Sequence, residues 1–237
     1  MKKYYDTCVY WGSDLHKLIT SIKSSGYSGV VITRIARNKS ELKKASEDLK
    51  QIRKLEFEGI DIYTGIELRA DSSVSLKKLI YLATQYDFDI VGVLGGDIDI
   101  NKTTVSSDYI DILRAPYLGR RDSGIDKPIA HLATEHQVSI EVVFKHLVGK
   151  NKYFLYSSLQ ELYNYCKHFK INFLLSTGAK DIYELRRAKN LIFFLKSLFS
   201  ANEFAESILS ENPWRIFEQV KRRGSADYIN PCVRIIK

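Results

Sequence analysis

The period of the hydrophobic pattern changes repeatedly along the chain. Short β-branched or apolar runs fall at residues 4–9, 30–33, 60–68, 89–94, 110–113, 138–144 and 172–176, and each reads as a strand. Between them, residues 14–24, 40–55, 75–86 and 159–169 carry apolar positions at helical spacing. Ser75 stands just before Leu76, Leu79, Ile80 and Leu82, which share one helical face, so it reads as a cap; Ser40, followed by Lys43 and Lys44, is a weaker signal. Strands that alternate with helices build parallel β-α units. About seven such units with no Pro- or Gly-rich linker favour an α/β barrel, one closed domain over residues 1–220, ahead of an open sheet. Helices at 203–208 and 213–220 finish it, with Asn212 as N-cap before Pro213. Residues 221–237 open on Lys221, Arg222 and Arg223 and read as a basic tail, either solvated or in contact with a polyanion.

Composition adds a direction to this frame. Hydrophobic residues make up 45% of the 237, enough for a full core. Lys and Arg number 36 against 28 acids, a net charge of +8, which points to a polyanionic partner, nucleic acid ahead of an anionic membrane. Cys8, Cys166 and Cys232 are widely spaced with no CxxC pair, unlike a disulfide framework or a thiolate zinc site, and Cys8 reads as a small core residue. The N-terminus reaches Asp6 without an apolar signal core, and the richest apolar stretch, 191–199, is short and carries Lys196. The expectation is a cytoplasmic protein with no membrane partner.

In a parallel barrel the loops that follow the strands gather on one rim, where function usually sits. Those loops hold Arg34, Arg37 and Lys39; Arg69; Arg114, Arg120 and Arg121; Lys145, Lys150 and Lys152; and Lys180, Arg186 and Arg187. These thirteen residues from five loops would converge on one face, and the planar fork of arginine suits phosphate. Tyr117, Tyr153 and Tyr156 lie near enough in sequence to be candidates for stacking on unpaired bases. Lys43, Lys44, Lys77 and Lys78 read as ordinary helix-surface charges.

Catalytic signatures are incomplete. Gly119 and Gly124 have P-loop spacing, but Ile125 and Asp126 replace the required Lys and Ser/Thr. Asp97, Asp99, Asn101 and Asp108 imitate a calcium loop, yet Lys102 stands where glycine is needed, and Ile98 and Ile100 alternate as in a strand. His131 and His136 are five apart, His16 and His168 fall on helices, and only His146 nears the rim. Glu67, Asp97 and Glu141 sit at strand ends suited to a metal, but the first strand offers Asp6, Thr7 and Cys8 in place of histidines. No metal is expected; those acids are expected to pair with rim arginines, with a carboxylate-bound magnesium the lesser reading.

One block is distinctive: Pro116-Tyr117-Leu118-Gly119-Arg120-Arg121-Asp122-Ser123-Gly124-Ile125-Asp126, followed by Ala130 and Ala133. With Gly95, Gly96, Asp97 and Asn101, then Ser176-Thr177-Gly178-Ala179 with Leu185 and Arg186, and finally Asn212-Pro213, the chain resembles the archaeal ribonuclease P protein component 3 family, related to the eukaryotic thirty-kilodalton subunit of ribonucleases P and MRP. The resemblance implies a distorted TIM-like (PHP-like) barrel without metal-binding histidines. It implies a subunit that binds and supports the catalytic RNA of ribonuclease P in removing the 5′ leader from precursor tRNA. Its partners would be that RNA, a small protein subunit and the other proteins of the assembly. It would bind no cofactor of its own, magnesium being required by the RNA.

The resemblance places Arg120, Asp122, Ser123 and Gly124 in a signature loop, Gly178, Ala179 and Arg186 in the loop after the seventh strand, and Arg37 at a basic position after the second. Arg114 precedes Ala115 and Pro116 where many relatives carry a histidine, and Arg187-Ala188 stands where proline is frequent. Two rivals remain: a metal-dependent phosphoesterase built on Glu67, Asp97 and Glu141, and a barrel that chiefly docks a partner protein through an apolar helical face such as Phe193-Phe194.

Overall fold

The computed structural model describes residues 2–12, 14–55, 57–148, 153–199, 202–223, 228–230 and 233–234, with 153–154, 202–203, 222–223, 228–230 and 233–234 described by backbone alone. Lys150, Lys152 and Cys232, together with most of the tail, lie outside the described residues.

Seven parallel strands run in sequence order: β1 (Tyr5–Tyr10), β2 (Gly29–Ala36), β3 (Asp61–Leu68), β4 (Ile90–Leu94), β5 (Ile112–Arg114), β6 (Ser139–Val143) and β7 (Phe173–Ser176). β2 and β3 pair over eight residues, from Gly29 opposite Asp61 to Ala36 opposite Leu68. β1 carries a bulge, because Asp6 and Val9 face Val30 and Ile32. The sheet curls until β1 meets β7. There Val9 bridges Ala179, the Tyr10 amide donates to the Ala179 carbonyl at 2.8 Å, and the Gly178 amide donates to the Cys8 carbonyl at 3.0 Å. Asp6 staples the same seam, accepting from the Thr177 amide at 3.1 Å and the Thr177 hydroxyl at 2.5 Å.

Helices α1 (Leu15–Ser24), α2 (Lys39–Ile52), α3 (Ser73–Ala83), α4 (Ile98–Val105), α5 (Lys127–Glu135), α6 (Tyr153–Phe169), α7 (Ala188–Phe199), α8 (Asn202–Ser207) and α9 (Glu211–Arg223) complete the fold. Local chemistry sets their starts. Asn38, not Ser40, caps α2 through a bond from the Glu41 amide, and Ser72 caps α3 in a capping box whose other member is Ser75. Two further expectations fail. The segment that begins at Ile98 is a helix and not a strand, because its buried positions Ile100, Asn101, Thr104 and Val105 include two polar residues that hide the helical period. Asn212 is not an N-cap: α9 begins at Glu211, and the buried Asn212 side chain donates to the Phe173 carbonyl at 2.8 Å.

α9 plugs the barrel at the N-terminal ends of the strands. Ile216 and Phe217 pack on Tyr5, Val31, Ile90, Ile112 and Leu174, and Phe217 stacks flat on Tyr63 at 3.9 Å. The helix also runs through residue 220, where the barrel domain was expected to end. Beyond it β8 (Tyr228–Asn230) pairs antiparallel with β9 (Val233–Arg234). The loops after the strands lie at the opposite rim, where function usually sits in such barrels.

Candidate nucleic-acid interface

The inward face of the barrel changes character toward that rim. Arg114, the last residue of β5, is 1% exposed and lies inside. Its NH1 donates to Glu67 Oε2 at 2.9 Å, its Nε donates to Glu141, and its NH2 reaches the Thr7 carbonyl at 3.4 Å. Gly92 lies beside it, where a Cβ would stand in ordinary contact at 3.6 Å from the guanidinium. The Thr7 hydroxyl donates to Glu141. Glu67 also accepts from the Tyr10 hydroxyl at 2.6 Å and from Arg69 Nε at 2.7 Å, which links the interior to the mouth. Burial alone would raise the Glu67 carboxyl; Arg114, Arg69 and Tyr10 together hold it below its ordinary value. Burial would likewise lower Arg114, and the carboxylates of Glu141 and Glu67 outweigh it, so the guanidinium stays charged.

Arg114 is therefore corrected from the rim set to the core. The candidate metal acids change meaning with it. Glu67 and Glu141 already flank a fixed cation, and Asp97 caps α4 by accepting from the Asp99 and Ile100 amides at 2.9 and 3.1 Å. No group of three His, Cys, Asp or Glu side chains is placed to hold a metal ion among the described residues. The histidines are scattered: His16 packs on Phe57, His131 on Phe169, and His136 pairs with Asp108. Burial pushes the Cys8 thiol well up, which removes it as a nucleophile.

The signature loop is held from below by Asn101. Its Nδ2 donates to the carbonyls of Pro116 and Gly124 at 3.1 and 2.8 Å, and its Oδ1 accepts from the Gly96 amide at 3.0 Å. Gly124 has φ +71°, and a Cβ would lie 2.0 Å from the Pro116 carbonyl oxygen, so only glycine fits. Ser123 is buried, its amide donating to Glu161 and its hydroxyl to the Ile125 carbonyl. Arg120 forks onto Asp122 at 2.6 and 2.8 Å, which holds the Asp122 carboxyl below its usual range. Gly178 and Ala179 belong to the seam: Gly178 has φ +65° and Ala179 is fully buried. Tyr117, a stacking candidate, is buried with its hydroxyl accepting from the Val143 amide, so it is a core residue; Tyr156 is exposed, and the Tyr153 side chain lies outside the described residues.

The remaining cations divide into two groups. Arg34 pairs with Asp48 at 2.5 Å and lies over Trp11; Arg37 pairs with Glu41, Arg69 with Glu67, Arg120 with Asp122 and Lys145 with Glu184. Lys39, Arg121, Lys180, Arg186 and Arg187 have no acidic partner among the described residues, and three of these five lie on the loop after β7. Lys180 stands 6.0 Å from the Tyr10 ring and Arg186 5.9 Å from the Phe144 ring, each a cation near an aromatic face.

A model of the ribonuclease P subunit p30 family matches residues 3–225. The chain belongs to the ribonuclease P subunit p30 family. Among its relatives, ribonuclease P protein component 3 of Methanocaldococcus jannaschii is 33% identical over 142 residues, 59% of this chain and 61% of that protein. The namesake of Methanothermobacter thermautotrophicus is 24% identical over 210 residues, 87% of this chain and 84% of its own length. A chain from a cryo-EM structure of archaeal ribonuclease P with mature tRNA superposes with a TM-score of 0.78 at 27% identity, covering 98% of both chains. The family's α/β TIM-like barrel is thus the fold of this chain. No described helix is long and apolar enough to cross a membrane.

Proposed function

We propose that this p30-family chain binds and supports the catalytic RNA of ribonuclease P during removal of the 5′ leader from precursor tRNA, and supplies no reacting group itself. One observation carries the reading. Glu67, Glu141, Asp48 and Asp122 hold arginines and Asp97 caps a helix, while Lys39, Arg121, Lys180 and Arg187, without an acidic partner among the described residues, are exposed on the loops after β2, β5 and β7. A surface so arranged neutralises phosphates and releases their counterions, and among the described residues no three His, Cys, Asp or Glu side chains are placed to hold a metal ion. The superposition on a chain of an archaeal ribonuclease P structure containing mature tRNA supports a place in that kind of assembly. The partners are then the ribonuclease P RNA, a small protein subunit and the other proteins of the assembly, in the cytoplasm, with magnesium serving the RNA.

The test is cleavage of precursor tRNA by the cognate RNA at modest magnesium, with the small subunit, with and without this chain. Cleavage that needs the RNA and is raised by this chain supports the reading. Cleavage by the chain without RNA, abolished by a chelator, would transfer the activity to the carboxylates and favour the phosphoesterase reading.

A further inference from the structure

The loop after β7 leaves an aromatic ring almost entirely in water. Tyr183 is 84% exposed, the highest among the exposed large apolar side chains of the described residues. A lone exposed ring is ordinary on a protein surface; the backbone beneath this one is not loose. Asp181 Oδ1 accepts from the amides of Tyr183 and Glu184 at 2.8 and 3.1 Å. From the other side, Arg186 NH1 donates to the carbonyls of Tyr183 and Leu185 at 2.9 and 2.8 Å. Glu184 accepts from the Lys180 amide at 2.9 Å and pairs with Lys145. Both acids of the loop are engaged in shaping the turn, which leaves Lys180, Arg186 and Arg187, on the same loop as the ring, without an acidic partner among the described residues.

We infer that Tyr183 is a stacking platform for an unpaired RNA base, with Lys180, Arg186 and Arg187 on the flanking phosphates. The inference rests on the reading of this rim as an RNA surface. An exposed ring on a hydrogen-bonded backbone, in a loop that also carries three cations, is the chemistry by which single-stranded RNA is held, the ring meeting a base face and the charges following the backbone. A protein partner would instead call for an apolar surround that excludes water from the anchor, and the loop's other apolar residues, Ile182 and Leu185, pack into the core, while the rest of residues 180–187 are charged.

The experiment is equilibrium binding of the cognate ribonuclease P RNA, at several salt concentrations, by the full chain assembled with its small partner subunit. Tyr183→Leu is expected to weaken binding about 5- to 100-fold, and Tyr183→Phe to stay within about twofold, since the π face is what a base meets. The salt slope should not change in either, because no charge is lost. The exposure of the ring predicts that both variants fold and melt as the parent does. A photoreactive benzophenone residue at position 183 is expected to crosslink to the RNA. Unchanged affinity in Tyr183→Leu, or a crosslink to the small subunit, overturns the inference. If Lys180→Gln, Arg186→Gln and Arg187→Gln still weaken binding in that case, the RNA-surface reading survives alone. If those too are silent, it falls with the stacking.

Discussion

Arg114 NH1 stands 2.9 Å from Glu67 Oε2, and the two are almost completely buried in the barrel interior with Glu141 on the other flank. Removing one member of such a cluster leaves an uncompensated charge out of water, which costs far more than the pair contributes. Arg114→Met is therefore expected to lower stability by about 3–5 kcal/mol in denaturant unfolding. Glu141 is the acid most exposed to the loss, since Glu67 keeps Arg69 and Tyr10. Adding Glu141→Gln to Arg114→Met should restore part of the deficit; an Arg114→Met protein as stable as the parent would contradict this account of the interior.

The division of the rim cations predicts unequal effects on RNA binding. Arg121→Gln, Lys180→Gln and Arg187→Gln should each weaken binding and shallow the log–log salt dependence by roughly 0.7–0.9. Arg34→Gln and Arg37→Gln should change it much less, because Asp48 and Glu41 already neutralise those charges. Equal changes in slope across the two groups would refute the division.

Asn101 joins the glycine turn after β4 to the signature loop. Asn101→Ala orphans two buried carbonyls and one amide, at about 1–3 kcal/mol for each group left unsatisfied. Hydrogen exchange at the Gly96 amide should speed up, while amides of β2 and β3 remain protected. Gly124→Ala, with its Cβ driven onto the Pro116 carbonyl, is expected not to accumulate as folded protein.

Asp6 makes the seam sensitive to pH. Burial pushes its carboxyl from an ordinary 3.8 up to about 7, against the hydrogen bonds from Thr177 and Cys8, which favour the ionised form. The folded value lies above the unfolded one, so between about pH 4 and 7 the folded chain keeps a proton that the unfolded chain releases. Its contribution is thus fully present below about pH 4 and falls as pH rises toward 7. Asp6→Asn cannot ionise. Its stability relative to the parent, measured by urea unfolding, should improve from pH 4 to pH 8; a constant difference across that range would count against the buried proton.

Seven strands were legible in the chain because a buried parallel strand is a short run of apolar residues whatever surrounds it, and all seven expected runs overlap observed strands. The rest of the pattern was less readable where polar residues do structural work. Asn101 and Thr104 broke the apolar period of α4, and Asn212, which looked like a cap, bonds across to β7. The signature loop was visible as a motif, yet which of its groups face outward was not: Ser123 and Tyr117 turn inward, while Arg121 points to water.

Sequence alone determined the order of β-α units, the excess of basic charge and the loops that carry it, since all three are properties of the chain taken in order. Only the tertiary structure decided which charges remain available, because neutralisation depends on acids far away along the chain. Arg114 meets Glu67 and Glu141 across the barrel, and Arg34 meets Asp48 on a helix, whereas Lys180, Arg186 and Arg187 meet no acid among the described residues. The exposure of Tyr183 is of the same kind: a ring's access to solvent is set by what the whole fold leaves uncovered.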